Sequence, residues 1–399
     1  MKKSRKIAIF CSHYYPYLGG VENYTAHLAG ELKKRGDRVV IVTSNDMHLQ
    51  TLEWMEGIPV VRMPCFNLLA GRFPVSRPDG LFWRIHRRLK KISFDLVVIQ
   101  TRFYPHSLYA AWLAKKQGSR CIVIDHGTSH MTVGSPFWDR LGAWYEHGIT
   151  ALLKRKADGF YGVSQACCRW LTHFRIQPAG VLYNGIDPRE MEEMTAHPVR
   201  DFGRELGISS DTLVITYTGR LVKEKGVRAL AEAFLNLPKE YSAVLCIAGD
   251  GEEMDWLEKT QDEKIFLLGR ISLPEVASLL ARTDIYCLPT GYPEGFPTAV
   301  LEAAAAGCYI VTTDKGGSRE LILDDSYGTV MEDNYPETIR QALMRAAADE
   351  TERKKAAKKA KKRLLRCFTW DKTAGQVHDL AAGKHNGGEY EKTDYHSCF

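Results

Sequence analysis

Short apolar runs alternate with longer amphipathic segments along almost the whole chain. Runs such as Leu96-Val97-Val98-Ile99 are apolar at every position, not at every second one. A strand of that kind is covered on both faces, and α/β proteins achieve this by packing helices on either side of a parallel sheet. The pattern predicts strands at 6–12, 38–44, 95–100, 120–126 and 159–164, with helices over 21–35, 106–117 and 137–156 among them. The rhythm then begins again. Strands are expected at 212–218, 243–248, 264–268, 285–289 and 309–313, and helices at 227–237, 274–281 and 298–306. Two such series imply an α/β chain of two Rossmann-like, doubly wound parallel-sheet domains. Ligands of these sheets bind at the carboxyl ends of the strands, so the domains are expected to face a central cleft.

The length of 399 residues fits this reading, since roughly 150 residues per domain allow two or three domains. Gly, Pro and charge cluster over 185–200, which puts the seam there. The expected division is 1–187 and 188–369. One long helix is expected from Pro336 to Arg366, then a short one near Thr373–Leu380. Residues 383–399 are polar, contain Gly387-Gly388, and read as a flexible tail.

The net charge of +6, from 54 basic and 48 acidic residues, is a mild excess. It favours anionic lipid or phosphorylated substrates without implying nucleic acid. The densest basic run, Arg353–Arg366, has no aromatics among its charges, so a solvated helix is the better reading there and no nucleic-acid partner is expected. None of the ten cysteines forms a CxxC pair, and no Cys/His spacing resembles a zinc site. Buried free thiols in a reducing compartment are expected, and no metal ligands. The basic start before Ile7 imitates a signal peptide, but the apolar stretch after it is too short. No run reaches the ~18 apolar residues of a membrane span. A cytoplasmic location is expected, with a peripheral place on the inner face of the cell membrane left open.

Four segments carry chemistry. Gly19-Gly20-Val21-Glu22 follows a strand and opens a helix. It reads either as a tight turn or as a place where backbone N–H groups meet a phosphate or hydroxyl. Arg220 and Lys225 leave one strand–loop–helix junction. Two cations beside a helix N-terminus suit a diphosphate, the alternative being a solvated basic loop. Glu294-Gly295-Phe296-Pro297-Thr298-Ala299-Val300-Leu301-Glu302 sets one acid in a Gly/Pro-rich loop and another in the helix behind it. Carboxylates accept several hydrogen bonds each and so suit hydroxyl-rich ligands. Glu302 stands among apolar neighbours, and a buried acid needs a reason. His126 ends a first-half strand, where it is either structural or a partner for a sugar hydroxyl. Gly316-Gly317-Ser318-Arg319-Glu320, after a later strand, either shapes the same pocket or is a plain turn.

Together with Asn184-Gly185-Ile186-Asp187 and Ala248-Gly249-Asp250-Gly251, these segments resemble glycosyltransferase family 4 over nearly the whole chain. The two acids in their Glu-Gly-Phe-Pro-Thr context are the most specific part. The resemblance implies the GT-B fold and a retaining, metal-independent transferase that needs no cofactor. Its donor would be a UDP- or GDP-type nucleotide sugar. The first domain would be the acceptor side, with 370–382 crossing back onto it, and the second would hold the donor. Arg220 and Lys225 would hold the diphosphate and stabilise its departure, and Glu302 would hold the ribose hydroxyls. Glu294 would contact the transferred sugar, near backbone groups of Phe296, Pro297 and Thr298. Gly19 and Gly20 would approach the donor phosphate, Gly249 would border the donor, and His126 would sit near the sugar. Val163-Ser164 ends a strand as in family members. The acceptor would be lipid-linked, a polysaccharide or another glycan, within polysaccharide biosynthesis.

No residue stands out as a covalent nucleophile, so departure and attack on one face of the sugar are expected. The segment Phe82–Ile92 is apolar at 82, 85, 89 and 92 and otherwise rich in Arg84, Arg87, Arg88, Lys90 and Lys91. It reads equally as a helix lying in an anionic membrane surface or as a domain helix with a solvated face. Three other readings compete: a GT-B sugar-nucleotide epimerase or phosphorolytic enzyme, a catalytically silent sugar-nucleotide-binding partner, and a nicotinamide-dependent dehydrogenase. No G-x-G-x-x-G follows the first strand, which counts against the last.

Overall fold

A computed structural model describes residues 4–69, 71–238, 240–260 and 262–384. Most of the expected tail lies outside these residues. The chain forms two compact units: one runs to Asn184 and resumes at Trp370, and the other spans Gly185–Thr369.

The first unit contains β1 (Lys6–Phe10), β2 (Arg38–Ser44), β3 (Leu52–Met55), β4 (Ile58–Met63), β5 (Cys65–Leu68), β6 (Phe73–Ser76), β7 (Leu96–Gln100), β8 (Arg120–Asp125), β9 (Gly159–Gly162) and β10 (Gly180–Val181). Its main sheet has the order β10-β9-β8-β7-β1-β2-β4-β3. Every pairing in it is parallel except β3 with β4. That hairpin closes on Glu56-Gly57, both at positive φ (50° and 70°), as a two-residue turn between twisted strands requires.

Alternate residues of the central strands feed two cores. Ile7, Ile9, Leu96, Val98, Ile122 and Ile124 pack with Tyr24 and Leu28 of the helix Gly20–Lys34 and with Trp370 and Val377 of the helix Trp370–Ala381. Ala8, Phe10, Val97, Ile99, Cys121 and Val123 pack on the other face, where the helices Gly80–Lys90, Pro105–Gln117 and Pro136–Lys154 lie.

The second unit has β11 (Leu213–Thr218), β12 (Ala243–Ala248), β13 (Ile265–Leu267), β14 (Ile285–Leu288), β15 (Tyr309–Thr313) and β16 (Thr329–Met331). They form an all-parallel sheet in the order β13-β12-β11-β14-β15-β16. Ile186 bridges Thr369, so the segments entering and leaving this unit run side by side.

Two expectations need correction. The helix from Pro336 does not run unbroken to Arg366 but divides into Pro336–Ala348 and Glu350–Cys367. Asp349 leaves helical geometry (φ −133°, ψ 102°), and its carboxylate accepts from the Glu352 N–H at 3.0 Å. An Asp ahead of two acids is a start signal strong enough to interrupt a helical run. The basic run is also not wholly solvated. Arg353 is buried and donates to the Ala346 carbonyl, and buried Arg363 donates to the Glu320 carbonyl at 2.7 Å. Eight cysteines are free and buried, as expected. Among the described residues no helix is long and apolar enough to cross a membrane.

Candidate donor site of the second unit

Strand order in the second sheet reverses between β11 and β14. A doubly wound sheet opens a crevice at the carboxyl end of such a point. The loop leaving β11 carries Arg220 and Lys225, and the loop leaving β14 carries Glu294.

The two loops are stitched together by backbone. The Tyr217 hydroxyl donates to the Arg220 carbonyl at 2.8 Å. A single 3-10 turn over Lys223–Lys225 ends on Gly226, which is left-handed at φ 74°. A Cβ on Gly226 would lie 2.1 Å from the Pro289 carbonyl oxygen, so only glycine lets the loops approach this closely. The Gly291 N–H donates to the Glu224 carbonyl at 2.7 Å.

On this base Lys225 forms an ion pair with Glu294, and both side chains are largely buried. Thr290 donates to the same carboxylate oxygen at 3.2 Å. Tyr292 lies under both cations, 5.6 Å from the Arg220 guanidinium carbon and 5.4 Å from the Lys225 ammonium. Arg220 is exposed and makes no ion pair among the described residues. A free guanidinium on an aromatic face keeps its donors for an anion.

Glu302 projects from the helix Thr298–Ala306. It is partly buried and makes no hydrogen bond or ion pair to the described residues. Burial pushes its carboxyl up to about 7. Its field also helps raise the phenol of Tyr286, whose hydroxyl bonds Thr218 at the end of β11. The acid thus lies near the same strand ends.

Pro297 caps the N-terminus of that helix in extended geometry, with no side-chain cap. The first N–H groups of such a helix are suited to an anion. The Phe296 side chain is a core group, packed edge-on to Phe368 at 5.2 Å and against Gly317. Phe296 therefore has only backbone to offer a ligand. Gly316 and Gly317 are more than a plain turn, because Cβ atoms there would strike the Glu294–Phe296 backbone and ring. Gly249, at φ 156°, lets the end of β12 pass under the first loop, since a Cβ would lie 1.8 Å from the Gly219 carbonyl oxygen. Its visible role is the close approach of two loops.

In the first unit, Gly19 caps the helix that begins at Gly20. Gly19 is hemmed in by Glu22, whereas a Cβ on Gly20 would meet nothing within 4 Å. Partly buried His126 packs edge-on to Tyr24, and its Nε2 lies 2.7 Å from Gln100 Oε1. That acceptor fixes the proton on Nε2 and leaves the Nδ1 lone pair available. Burial lowers its pKa to about 3, which keeps the ring neutral. Ser164 caps the helix Gln165–His173.

On the helix Gly80–Lys90 the apolar stripe Phe82, Ile85 and Leu89 is sunk in the core, and Arg84, Arg87, Arg88, Lys90 and the following Lys91 are exposed. This part of the stripe serves the domain core, while Trp83 and Ile92 stay exposed beside the cations.

Several groups were missed. Tyr292 carried no motif signal. His13 pairs with Asp46 at 2.6 Å past the ends of β1 and β2. Glu22 is buried, and its carboxyl is pushed up to about 6 by desolvation. Arg102 binds Asp125 at 2.6 Å and Glu146 at 2.8 Å, all three fully buried.

The two sheets have the architecture of the GT-B glycosyltransferases. Anabaena HepE, solved in complex with UDP, matches with a TM-score of 0.74 at 17% identity, over 95% of this chain and 100% of that one. Two family models narrow the class: Glycosyltransferase Family 4 over residues 18–190 and Glycosyl transferases group 1 over residues 200–363. The chain belongs to glycosyltransferase family 4. An uncharacterised glycosyltransferase of Methanocaldococcus jannaschii is 25% identical, covering 94% of this chain and 97% of its own. The phosphatidyl-myo-inositol mannosyltransferase of Mycolicibacterium smegmatis is 23% identical, covering 93% and 92%.

Proposed function

We propose that this glycosyltransferase moves a hexose from a UDP- or GDP-type nucleotide sugar to a lipid-linked, polysaccharide or other glycan acceptor, with retention at the anomeric carbon and without a metal. The supporting observation is the grouping of Arg220, Lys225 and Glu294 around Tyr292 at the reversal of strand order. Arg220, Lys225 and the N–H groups that open the Thr298–Ala306 helix hold the diphosphate. As the bond from C1 to phosphate oxygen lengthens, negative charge grows on the leaving oxygen, and fixed cations stabilise it most there. The acceptor hydroxyl forms the new C1–O bond on the face the phosphate leaves, and its proton passes to that phosphate. Glu294 accepts from the sugar hydroxyls while Lys225 orients it, and Glu302 accepts from the ribose hydroxyls. Gly249 borders the donor. In the first unit, the Gly19-Gly20 backbone serves the donor phosphate and the neutral His126 ring serves the sugar. UDP bound in the Anabaena relative favours the uridine branch.

The test is incubation with a panel of UDP- and GDP-sugars and a glycan or lipid-linked primer, without added Mg2+ or Mn2+. Nucleoside diphosphate release that depends on the primer, with the donor's anomeric configuration kept in the product, is expected. Binding without release would leave a silent partner, an isomerised donor would leave an epimerase, and a trapped sugar–enzyme adduct would overturn the same-face route.

A peripheral place on an anionic membrane also belongs to this proposal. The five exposed cations supply attraction. Insertion would come from the neighbouring helix layer, where Phe137, Trp138, Leu141 and Trp144 are exposed. Beside them lies an apolar groove of about 670 Å3 lined by Leu108, Trp112, Tyr145 and Leu152. Flotation with anionic vesicles should weaken on Arg87→Glu with Arg88→Glu, and unchanged flotation would remove the basic helix from the account.

A further inference from the structure

Three histidines from separate segments meet in the first unit. His130 follows β8, His147 lies on the helix Pro136–Lys154, and His173 ends the helix Gln165–His173. His173 Nε2 is 3.3 Å from His130 Nε2 and 3.2 Å from His147 Nε2. One ring nitrogen from each of the three falls within 4.8 Å of the others.

Hydrogen bonding among the rings does not account for this. Each Nε2 carries either one proton or one lone pair, so His173 Nε2 can engage only one neighbour at a time. The proton placement makes the point sharper. His130 Nδ1 lies 3.1 Å from Glu146 Oε2. A carboxylate only accepts, so Nδ1 carries the proton and the neutral ring turns its Nε2 lone pair toward the cluster. Glu146 is itself fully buried and held by Arg102 and by the Met131 N–H at 2.7 Å. A carboxylate behind a histidine, fixing its tautomer, is the usual support of a metal-ligating imidazole.

Two of the three nitrogen–nitrogen spacings agree with the edges of a tetrahedral shell. Nitrogens at about 2.0–2.1 Å from a zinc ion lie about 3.3–3.4 Å apart along each edge. The two close contacts here are 3.3 and 3.2 Å. Trp170 stacks on His173 at 4.7 Å and 7°, which restrains that ring.

We propose that His130, His147 and His173 form a binding site for a zinc-class divalent transition metal, with Glu146 as the outer carboxylate on His130. Three neutral imidazoles without a thiolate select Zn2+, Co2+ or Ni2+ over Mg2+ or Ca2+. His147 and His173 are exposed, so the fourth position opens to solvent and takes water. Binding ties the segment after His126 to two helices. It is independent of the sugar-transfer proposal, which calls for no metal.

The experiment uses the untagged full chain freed of metal by chelation. Co2+ is titrated and its visible absorption followed, with Zn2+ competition and thermal unfolding in Zn2+ or Mg2+. One Co2+ per chain with the strong absorption of a four-coordinate site is expected, displaced by Zn2+. Zn2+ should raise Tm by several degrees, and Mg2+ should leave it unchanged. His147→Gln and His173→Gln, both at exposed positions and checked for native circular dichroism, should each lower Zn2+ affinity at least ~100-fold. Absence of cobalt absorption, or equal binding by wild type and both folded variants, overturns the site.

Discussion

The two units share a parallel sheet whose strand order reverses once, yet they use charge at the strand ends in opposite ways. In the first unit, Arg102 follows β7 and is 1% exposed, with Asp125 and Glu146 closed around it. Both acids bond the one cation inside the fold, and the cluster braces the strand ends. In the second unit Arg220 stands in solvent over Tyr292, and Glu302 has no partner among the described residues. Of these four groups, Lys225 and Glu294 pair with each other. A strand end whose charges are satisfied internally is structure. One whose charges are held in place but left unsatisfied suits the proposed donor site. Burial makes that difference, because an ion removed from water must find its counter-ion within the protein.

Arg102→Leu gives the sharpest test of this contrast. It leaves two buried acids uncompensated and should cost about 3–5 kcal/mol of stability in denaturant unfolding. A loss under about 1 kcal/mol would mean the triad is not structural. Lys225→Ala should do the reverse, reducing turnover about 10²–10³-fold while the chain stays folded. Steady-state rates alongside Tm would show it, and an insoluble variant would make Lys225 a structural residue. Glu302→Gln should have the smallest effect, visible in pH dependence. The native carboxyl holds its proton up to about 7 against an ordinary 4.5. The folded state therefore binds that proton more tightly than the unfolded one, and the contribution is lost as pH rises from about 4.5 to about 7. The glutamine variant should flatten that part of the stability curve. An unchanged slope would show that Glu302 is not the titrating group.

Much of the fold was legible because its signals are local. Ala243–Ala248 and Tyr309–Thr313 are strands over the ranges their apolar runs predict, and Thr298–Ala306 is a helix as read. Arg220, Lys225 and Glu294 were legible for the same reason, each lying within a few residues of a strand end. Asp349 was missed although it carried a signal: the Ala- and Lys-rich surroundings read as continuous helix, while an Asp followed by acids marks a new start. The basic helix left two readings open. Its periodicity showed an apolar stripe correctly, but nothing in the stripe says whether it faces a bilayer or the sheet that covers it. Tyr292 and Arg102 carried no signal, because their partners come from segments remote in sequence.

By itself the sequence determined two parallel-sheet units, the family, and the loops that bear the candidate chemistry. Apolar periodicity and motif spacing are properties of neighbouring residues, and they survive without a third dimension. Tertiary structure alone decided which charges are neutralised and which remain open. It also decided which carboxyls are pushed up by burial and which three imidazoles converge. Those outcomes depend on distance and solvent access between segments that only folding brings together.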